Sequence, residues 1–318
     1  MVAPNSSQNG CDASTRVSKV TAPARILLTG GSGQVGQALQ GLVWPEEFSL
    51  HVPDRRQLDL SISDSCRRAF IDGKYAAVIN VGAYTRVDHA EAHVGEAFQT
   101  NAAAVAILAE ACRDAETPLV HVSTDYVFNG AAETPWSEEG LTDPIGVYGA
   151  SKLAGELAVT AAGGRALILR TAWVVSPWGH NFVKTMLRIA RDRTSVGVVD
   201  DQIGSPTSAL DLATALQRIV LRMVEDSSAP TGIYHYVNSG RASWAELAEY
   251  VFSVSRSLGG PYASVQKISS SEYPTPVRRP AFSVLSTNKI QNDYGIYPEP
   301  WRPSVEKIVS ELIKTEGK

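Results

Sequence analysis

One short segment constrains this chain more than any other: residues 29–36, TGGSGQVG, set between an apolar run at 25–29 (RILLT) and an amphipathic stretch at 34–42. Glycines at 30, 33 and 36 permit a tight strand-to-helix turn with positive φ and close backbone approach, and they leave the amides of the helix start uncovered. Such a turn can be only a tight turn, so its surroundings decide how much weight it carries. Further short apolar runs follow at 48–52, 77–81 (AVINV), 119–123 (LVHVS) and 166–170 (ALILR), alternating with helical stretches at 63–71, 94–113 and 152–162. Alternation of this kind predicts βαβ units, and the unbroken apolar character of the runs predicts parallel strands buried on both faces. The expected fold class is therefore α/β, a doubly wound parallel sheet.

Beyond residue 171 the alternation loosens. Residues 182–193 and 209–224 read as helices, Ser243 with Glu246 three residues later forms a capping box, and Pro303 is placed to start a terminal helix after a Pro- and Gly-rich stretch at 259–303. This half is expected to form a smaller C-terminal substrate-binding lobe. The division predicted is a disordered tail over 1–24, a cofactor domain over 25–172 and a lobe over 173–318, with some lobe segments returning to the sheet. A chain of 318 residues fits that count. Its 29 Lys and Arg against 33 Asp and Glu, a net charge of −4, argue against nucleic-acid or anionic-membrane partners. No uncharged apolar run reaches the ~18 residues of a membrane span. Cys11, Cys66 and Cys112 are three and widely spaced, which suggests neither a disulfide framework nor a zinc site. The first 24 residues lack the apolar core of a secretory signal, and although Arg16 and Lys19 admit a transit peptide, a disordered tail on a cytoplasmic protein is the simpler expectation.

Several residues carry candidate chemistry. Amides at Gly30, Gly33 and Gly36 suit the pyrophosphate of a dinucleotide. Asp54, 18 residues after Gly36, lies where the group reading the adenosine ribose is expected, but Arg55 and Arg56 follow it directly. An acid favours a free 2′-hydroxyl and arginines a 2′-phosphate, so the pattern leans towards NADPH and leaves NADH open. Asp59 is a second candidate near the adenine. Tyr148 and Lys152 stand four apart, on one face of a helix. An ammonium beside a phenol lowers the phenol's pKa, and the phenol can then protonate a carbonyl oxygen as hydride arrives at carbon. Thr124 ends the fourth run, HVSTDYVF, where its hydroxyl can bond a substrate carbonyl at the carboxyl edge of the sheet. Trp173, after the fifth run, can stack on a sugar or base.

In order along the chain, TGGSGQVG, AYTRVDHAE, TNAAA with Asn101, HVSTDYVFNG, VYGASKLAGE, RTAWV, HNFVKTMLRIA, DDQIGSPT and YPTPVRRPAFSVLST resemble the dTDP-4-dehydrorhamnose reductase family, extended short-chain dehydrogenases/reductases. The similarity runs from about residue 25 to the C-terminus. It implies a Rossmann-type fold and reduction of the C4 ketone of dTDP-4-dehydro-L-rhamnose to dTDP-L-rhamnose with NADPH or NADH. It also implies that Tyr148 is the proton donor, that Lys152 holds the nicotinamide ribose and tunes the phenol, and that Thr124 orients the sugar. The implied dinucleotide lining is Gly33, Gln34, Val35, Asp59, Leu60, Ala83, Tyr84 and Thr85; Thr124, Asp125 and Trp173 are implied to meet the dTDP-sugar, in a monomer or homodimer. Related dehydratases carry an acid where this chain has Tyr126. Some family members resemble a dimer bridged by a metal through glutamates after the glycine loop, but Gln37, Ala38 and Leu39 stand there, so no metal is expected; His89, Glu91 and His93 lack a further ligand. Two other functions fit the same fold: a non-catalytic regulatory subunit resembling the methionine adenosyltransferase β subunit, and another nucleotide-sugar reductase or epimerase.

Overall fold

The structure, a computed structural model, describes residues 22–60, 62, 65 and 74–316. The expected helix at 63–71 (apart from Ser65), Cys11, Cys66 and most of the N-terminal tail lie outside the described residues. Six strands form one parallel sheet: β1 (Ala24–Thr29), β2 (Phe48–His51), β3 (Ala77–Asn80), β4 (Leu119–Thr124), β5 (Ala166–Thr171) and an edge strand, Gly232–His235. Their order is edge–β5–β4–β3–β1–β2, every neighbouring pair parallel. The chain leaves β1 for β2 on one side and returns to β3 on the other. Reversal of direction beside β1 opens a crevice at the carboxyl ends of β1 and β3, the place where ligands bind in such sheets.

Period-two alternation sorts the strand residues into two layers. Ile26, Leu28, Ile79, Val120, Leu167 and Leu169 pack with Ala38 and Leu39 of α1 (Gln34–Gln40) and with the helix Ala209–Glu225. Leu27, Val78, Leu119 and Ile168 point the other way, onto Ala104, Val105 and Val159 of the helices Ala104–Asp114 and Val147–Ala162. All are buried, so the sheet is covered on both faces, which makes the fold doubly wound. The edge strand comes from the C-terminal half. Its four residues GIYH carry no long apolar run, and pairing with β5 alone makes them a strand.

Two helices differ from expectation in ways that matter at the site. Val147–Ala162 begins five residues before the expected 152, taking in Tyr148, and closes on Gly163 at φ 73°. The stretch at 94–113 breaks into Val94–Phe98, a π-turn Gln99–Ala103 and Ala104–Asp114. Beyond β5, Asn181 caps Phe182–Asp192, Ser208 caps Ala209–Glu225, and the Ser243–Glu246 capping box opens Trp244–Ser257. Pro303 lies within the first turn of the terminal helix Trp301–Glu316. Val183, Leu187, Val251, Trp301 and Val309 form the core of this smaller lobe. Among the described residues no helix is long and apolar enough to cross a membrane.

Candidate active site

The glycine loop lies in the crevice. A Cβ on Gly30, whose φ is 72°, would come within 2.5 Å of the Gly82 amide nitrogen, and one on Gly36 within 2.3 Å of the Gly30 carbonyl oxygen. Backbone meets backbone at both points, which only glycine allows. The first helical bond runs from Gln37 N to Gly33 O (2.9 Å), leaving the amides of Gln34, Val35 and Gly36 without an intrahelical acceptor. No acid stands in that first turn and no side chain caps it. A diphosphate fits this set of donors. Leu60 rests against Gly82, where a Cβ would lie 2.4 Å from its Cδ1. Gln34 contributes differently: its side chain turns to the second lobe, accepting from Ser176 Oγ (2.8 Å) and Asn181 Nδ2 (2.9 Å). Only its backbone amide is left for a phosphate. Val35 is half-buried against the core.

Asn101, in the π-turn, holds the loop Ala83–Tyr84–Thr85. It accepts from Tyr84 N (2.7 Å), donates to Tyr84 O (3.1 Å) and donates to Ser151 Oγ (2.9 Å), which in turn donates to Tyr148 O (2.8 Å). One side chain thus ties the loop after β3 to the helix carrying Tyr148.

Around Asp54 the structure supports a turn. Asp54 Oδ1 accepts from Arg56 N (2.8 Å) and Gln57 N (3.0 Å), while Arg55 Nε meets Asp59 Oδ2 (3.2 Å) and Arg56 Nη2 meets Asp54 Oδ2 (3.3 Å). Asp54, expected to read the ribose, has one carboxylate oxygen committed to two backbone amides. Both arginines remain exposed, and such surface ion pairs hold weakly.

Tyr148 and Lys152 share a helix face but meet different neighbours. Burial pushes the Tyr148 phenol up, a Thr124 hydrogen bond opposes this, and Asp125 and Tyr126 add to the rise. Lys152 Nζ donates to Val122 O (2.7 Å) and lies 3.4 Å from His121 Nε2. The expected lowering of the phenol by Lys152 is therefore not found here; the ammonium turns into β4. Burial brings Lys152 itself down to about 8, with Glu156 pushing the other way.

Thr124 Oγ1 donates to Asp125 Oδ1 (3.0 Å), and burial lifts Asp125 to about 6 against hydrogen bonds from Ser283 and Thr124. Tyr126 stands edge-on to Tyr148, centroids 5.6 Å apart. Its hydroxyl accepts from Arg279 Nη1 (3.1 Å), and Arg279 Nη2 pairs with Asp88 (2.7 Å). Arg279 is thus committed to a structural pair. Trp173 holds φ 48°, a left-handed backbone rare for a bulky residue. Its indole stacks on Trp244 (centroids 3.4 Å, 5°) over Gly204, where a Cβ would lie 2.4 Å from the ring. Trp244 escapes sequence reasoning because only folding brings residues 71 positions apart together. Among the described residues no group of three or more His, Cys, Asp or Glu is placed to hold a metal, and the His89 and His93 rings stack on each other.

A glycine loop at the switch point of a parallel sheet, with a Tyr-x-x-x-Lys helix and a threonine at the next strand end, defines a short-chain dehydrogenase/reductase. A family model described as RmlD substrate binding domain matches residues 24–314. Over 295 residues the chain is 44% identical to a dTDP-4-dehydrorhamnose reductase of Sinorhizobium fredii, covering 92% of this chain and 99% of that one. Against the Escherichia coli K12 protein of that name the identity is 36%, covering 91% and 98%. A crystal structure of dTDP-4-dehydrorhamnose reductase from Bacillus anthracis in complex with NADP matches at TM-score 0.83 and 33% identity, over 91% of this chain and 99% of that one. The Clostridium acetobutylicum ortholog matches at 0.84 and 32%, with the same coverage. The chain belongs to the dTDP-4-dehydrorhamnose reductase family.

Proposed function

We propose that this chain reduces the C4 ketone of dTDP-4-dehydro-L-rhamnose to dTDP-L-rhamnose, taking NADPH in preference to NADH. The observation that carries the reading is the Tyr148–Lys152 helix packed on β4 where that strand runs out to Thr124, with Lys152 on Val122 O and Tyr148 edge-on to Tyr126. When bound, the reduced dinucleotide supplies the hydride. Its pyrophosphate would lie on the amides of Gln34, Val35 and Gly36. Arg55 and Arg56 would exchange their weak surface partners for the 2′-phosphate, while Lys152, Tyr84 and Leu60 line the same crevice.

The protein's own part is acid catalysis and orientation. Burial keeps the Tyr148 phenol protonated at neutral pH, the form needed to give a proton to the ketone oxygen. Thr124 steers that oxygen, Asp125 bonds the sugar hydroxyls, and Trp173 offers a flat apolar face to the sugar nucleotide. Tyr126, held by Arg279, occupies the place where elimination of water would need an acid, so reduction is favoured over dehydration. The lobe beyond residue 172 is assigned to the sugar nucleotide. A nucleotide-sugar substrate suits a cytoplasmic monomer or homodimer. The test is NADPH oxidation with enzymatically generated dTDP-4-dehydrorhamnose. Tyr148→Phe is expected to lower kcat by about 10²- to 10⁴-fold; absent turnover in the wild type, or undiminished turnover in the variant, overturns the assignment.

A further inference from the structure

Behind Lys152 runs a buried polar chain that the proposed mechanism does not use. Thr29, the last residue of β1, donates from Oγ1 to Asn80 Oδ1 (2.6 Å) at the end of β3. Asn80 Nδ2 donates to His121 Nδ1 in β4 (2.9 Å), and His121 Nε2 faces Lys152 Nζ at 3.4 Å. Asn80 and His121 are completely buried; Thr29 and Lys152 are 2% exposed. The chain therefore runs from the carboxyl ends of β1 and β3, at the switch point, into the middle of β4 and finishes on the amine of the helix that carries Tyr148. Polar groups so buried cost free energy unless every one is satisfied. Four in a row at the mouth of the crevice call for a purpose beyond packing.

We propose that His121, aligned by Asn80 and Thr29, is a positioning residue that holds the Lys152 amine against β4 for contact with the bound dinucleotide. The chemistry of the chain is reversible. With Asn80 donating to Nδ1, a neutral imidazole carries its proton on Nε2 and offers it to an uncharged amine. If the Asn80 amide turns over, Nδ1–H donates to its oxygen and Nε2 accepts from an ammonium. Burial next to Lys152 keeps the imidazole neutral in either state, so His121 follows the charge of the lysine instead of opposing it. The ammonium arrangement is the stronger, because its bond is charge-assisted. The other charged group bearing on Lys152 is Glu156 on its own helix, which is paired with Arg170 of β5.

The inference rests on the dinucleotide reading above, and its test separates the two. Kd for NADPH is measured against pH by nucleotide fluorescence, without turnover, in wild type, His121→Leu and His121→Gln, with kcat followed in parallel. Loss of the acceptor in His121→Leu is expected to weaken NADPH binding roughly tenfold at pH 8 and to move the alkaline limb to lower pH. The Gln amide oxygen, a substitute acceptor, is expected to restore the limb. A limb unmoved in His121→Leu, with kcat and Tm falling together, leaves only a packing role and overturns the proposal. Should His121→Leu not fold, Asn80→Ala interrogates the chain one link back: a displaced limb supports the proposal and an unmoved one overturns it. Wild-type protein that binds no NADPH overturns the cofactor reading and this inference with it, whereas NADPH binding with an unmoved limb overturns this inference alone.

Discussion

Asp125 illustrates how a single side chain is shaped by its surroundings. It is 2% exposed, and burial lifts it from 3.8 to about 6 in spite of hydrogen bonds from Ser283 and Thr124. Between those values the folded chain binds more protons than the unfolded one, so this residue's contribution to stability falls as pH rises from about 4 to about 6. Asp125→Asn, an uncharged isostere, is therefore expected to stabilise the fold at pH 7 by up to ~3 kcal/mol, the equivalent of about two pKa units. Thermal unfolding against pH checks this: the two curves should converge towards pH 4, and parallel curves would refute it. The same variant should lose affinity for the sugar nucleotide, as happens where a destabilising group serves a site. The motif STDYVF announces Asp125 as a site residue, but its burial was not legible, because the hydroxyl of Ser283 and the walls around it arrive from elsewhere in the chain.

At the scale of elements, the helix Val147–Ala162 starts without a side-chain cap of its own, and Glu91 supplies one from outside, its Oε1 accepting from Val147 N (2.8 Å). A carboxylate there meets both an orphan amide and the positive end of the helix. Glu91→Ala is expected to cost ~1 kcal/mol, and Glu91→Gln to recover part of it, by urea denaturation. Tyr148 lies in that first turn, so kcat should fall along with stability; unchanged stability in Glu91→Ala would show that water caps the helix equally well. The Tyr148–Lys152 spacing put Tyr148 on this helix, but its start at Val147 was not legible, since the cap comes from Glu91, 56 positions away. The π-turn at Gln99–Ala103 was equally hidden: TNAAA has ordinary helical composition, and only the bonds from Asn101 to Tyr84 and Ser151 reveal what the extra residue accomplishes.

For the molecule as a whole, polar contacts tie the glycine loop to the lobe and the helix Val147–Ala162 to the sheet. Gln34 bridges the glycine loop to the lobe through Ser176 and Asn181. Arg170 of β5 makes a two-pronged pair with Glu156 of the helix Val147–Ala162 (2.9 and 2.6 Å), each side chain 2% exposed. Removing one partner of a buried pair leaves the other charge stranded. Glu156→Ala is therefore expected to destabilise the fold by ~3–5 kcal/mol, while a surface control such as Glu110→Ala should stay within about 0.5 kcal/mol. Chemical denaturation measures both, and a Glu156→Ala loss under about 1 kcal/mol would mean that water reaches Arg170.

What the sequence determined by itself was local or periodic: five of the six sheet strands, the burial of both sheet faces, the glycine turn, and Tyr148 and Lys152 on one helical face. These follow from spacings of two and about four residues and from the backbone freedom of glycine, all properties of short segments. Tertiary structure alone decided the sixth strand, the turning of Gln34 towards the lobe, the Trp173–Trp244 stack and the passage from Thr29 through Asn80 and His121 to Lys152. Each depends on residues tens of positions apart meeting at one sheet edge, where burial and neighbouring charges set their protonation. No local pattern encodes such a meeting, so its chemistry becomes legible only once the sheet has brought β1, β3 and β4 side by side.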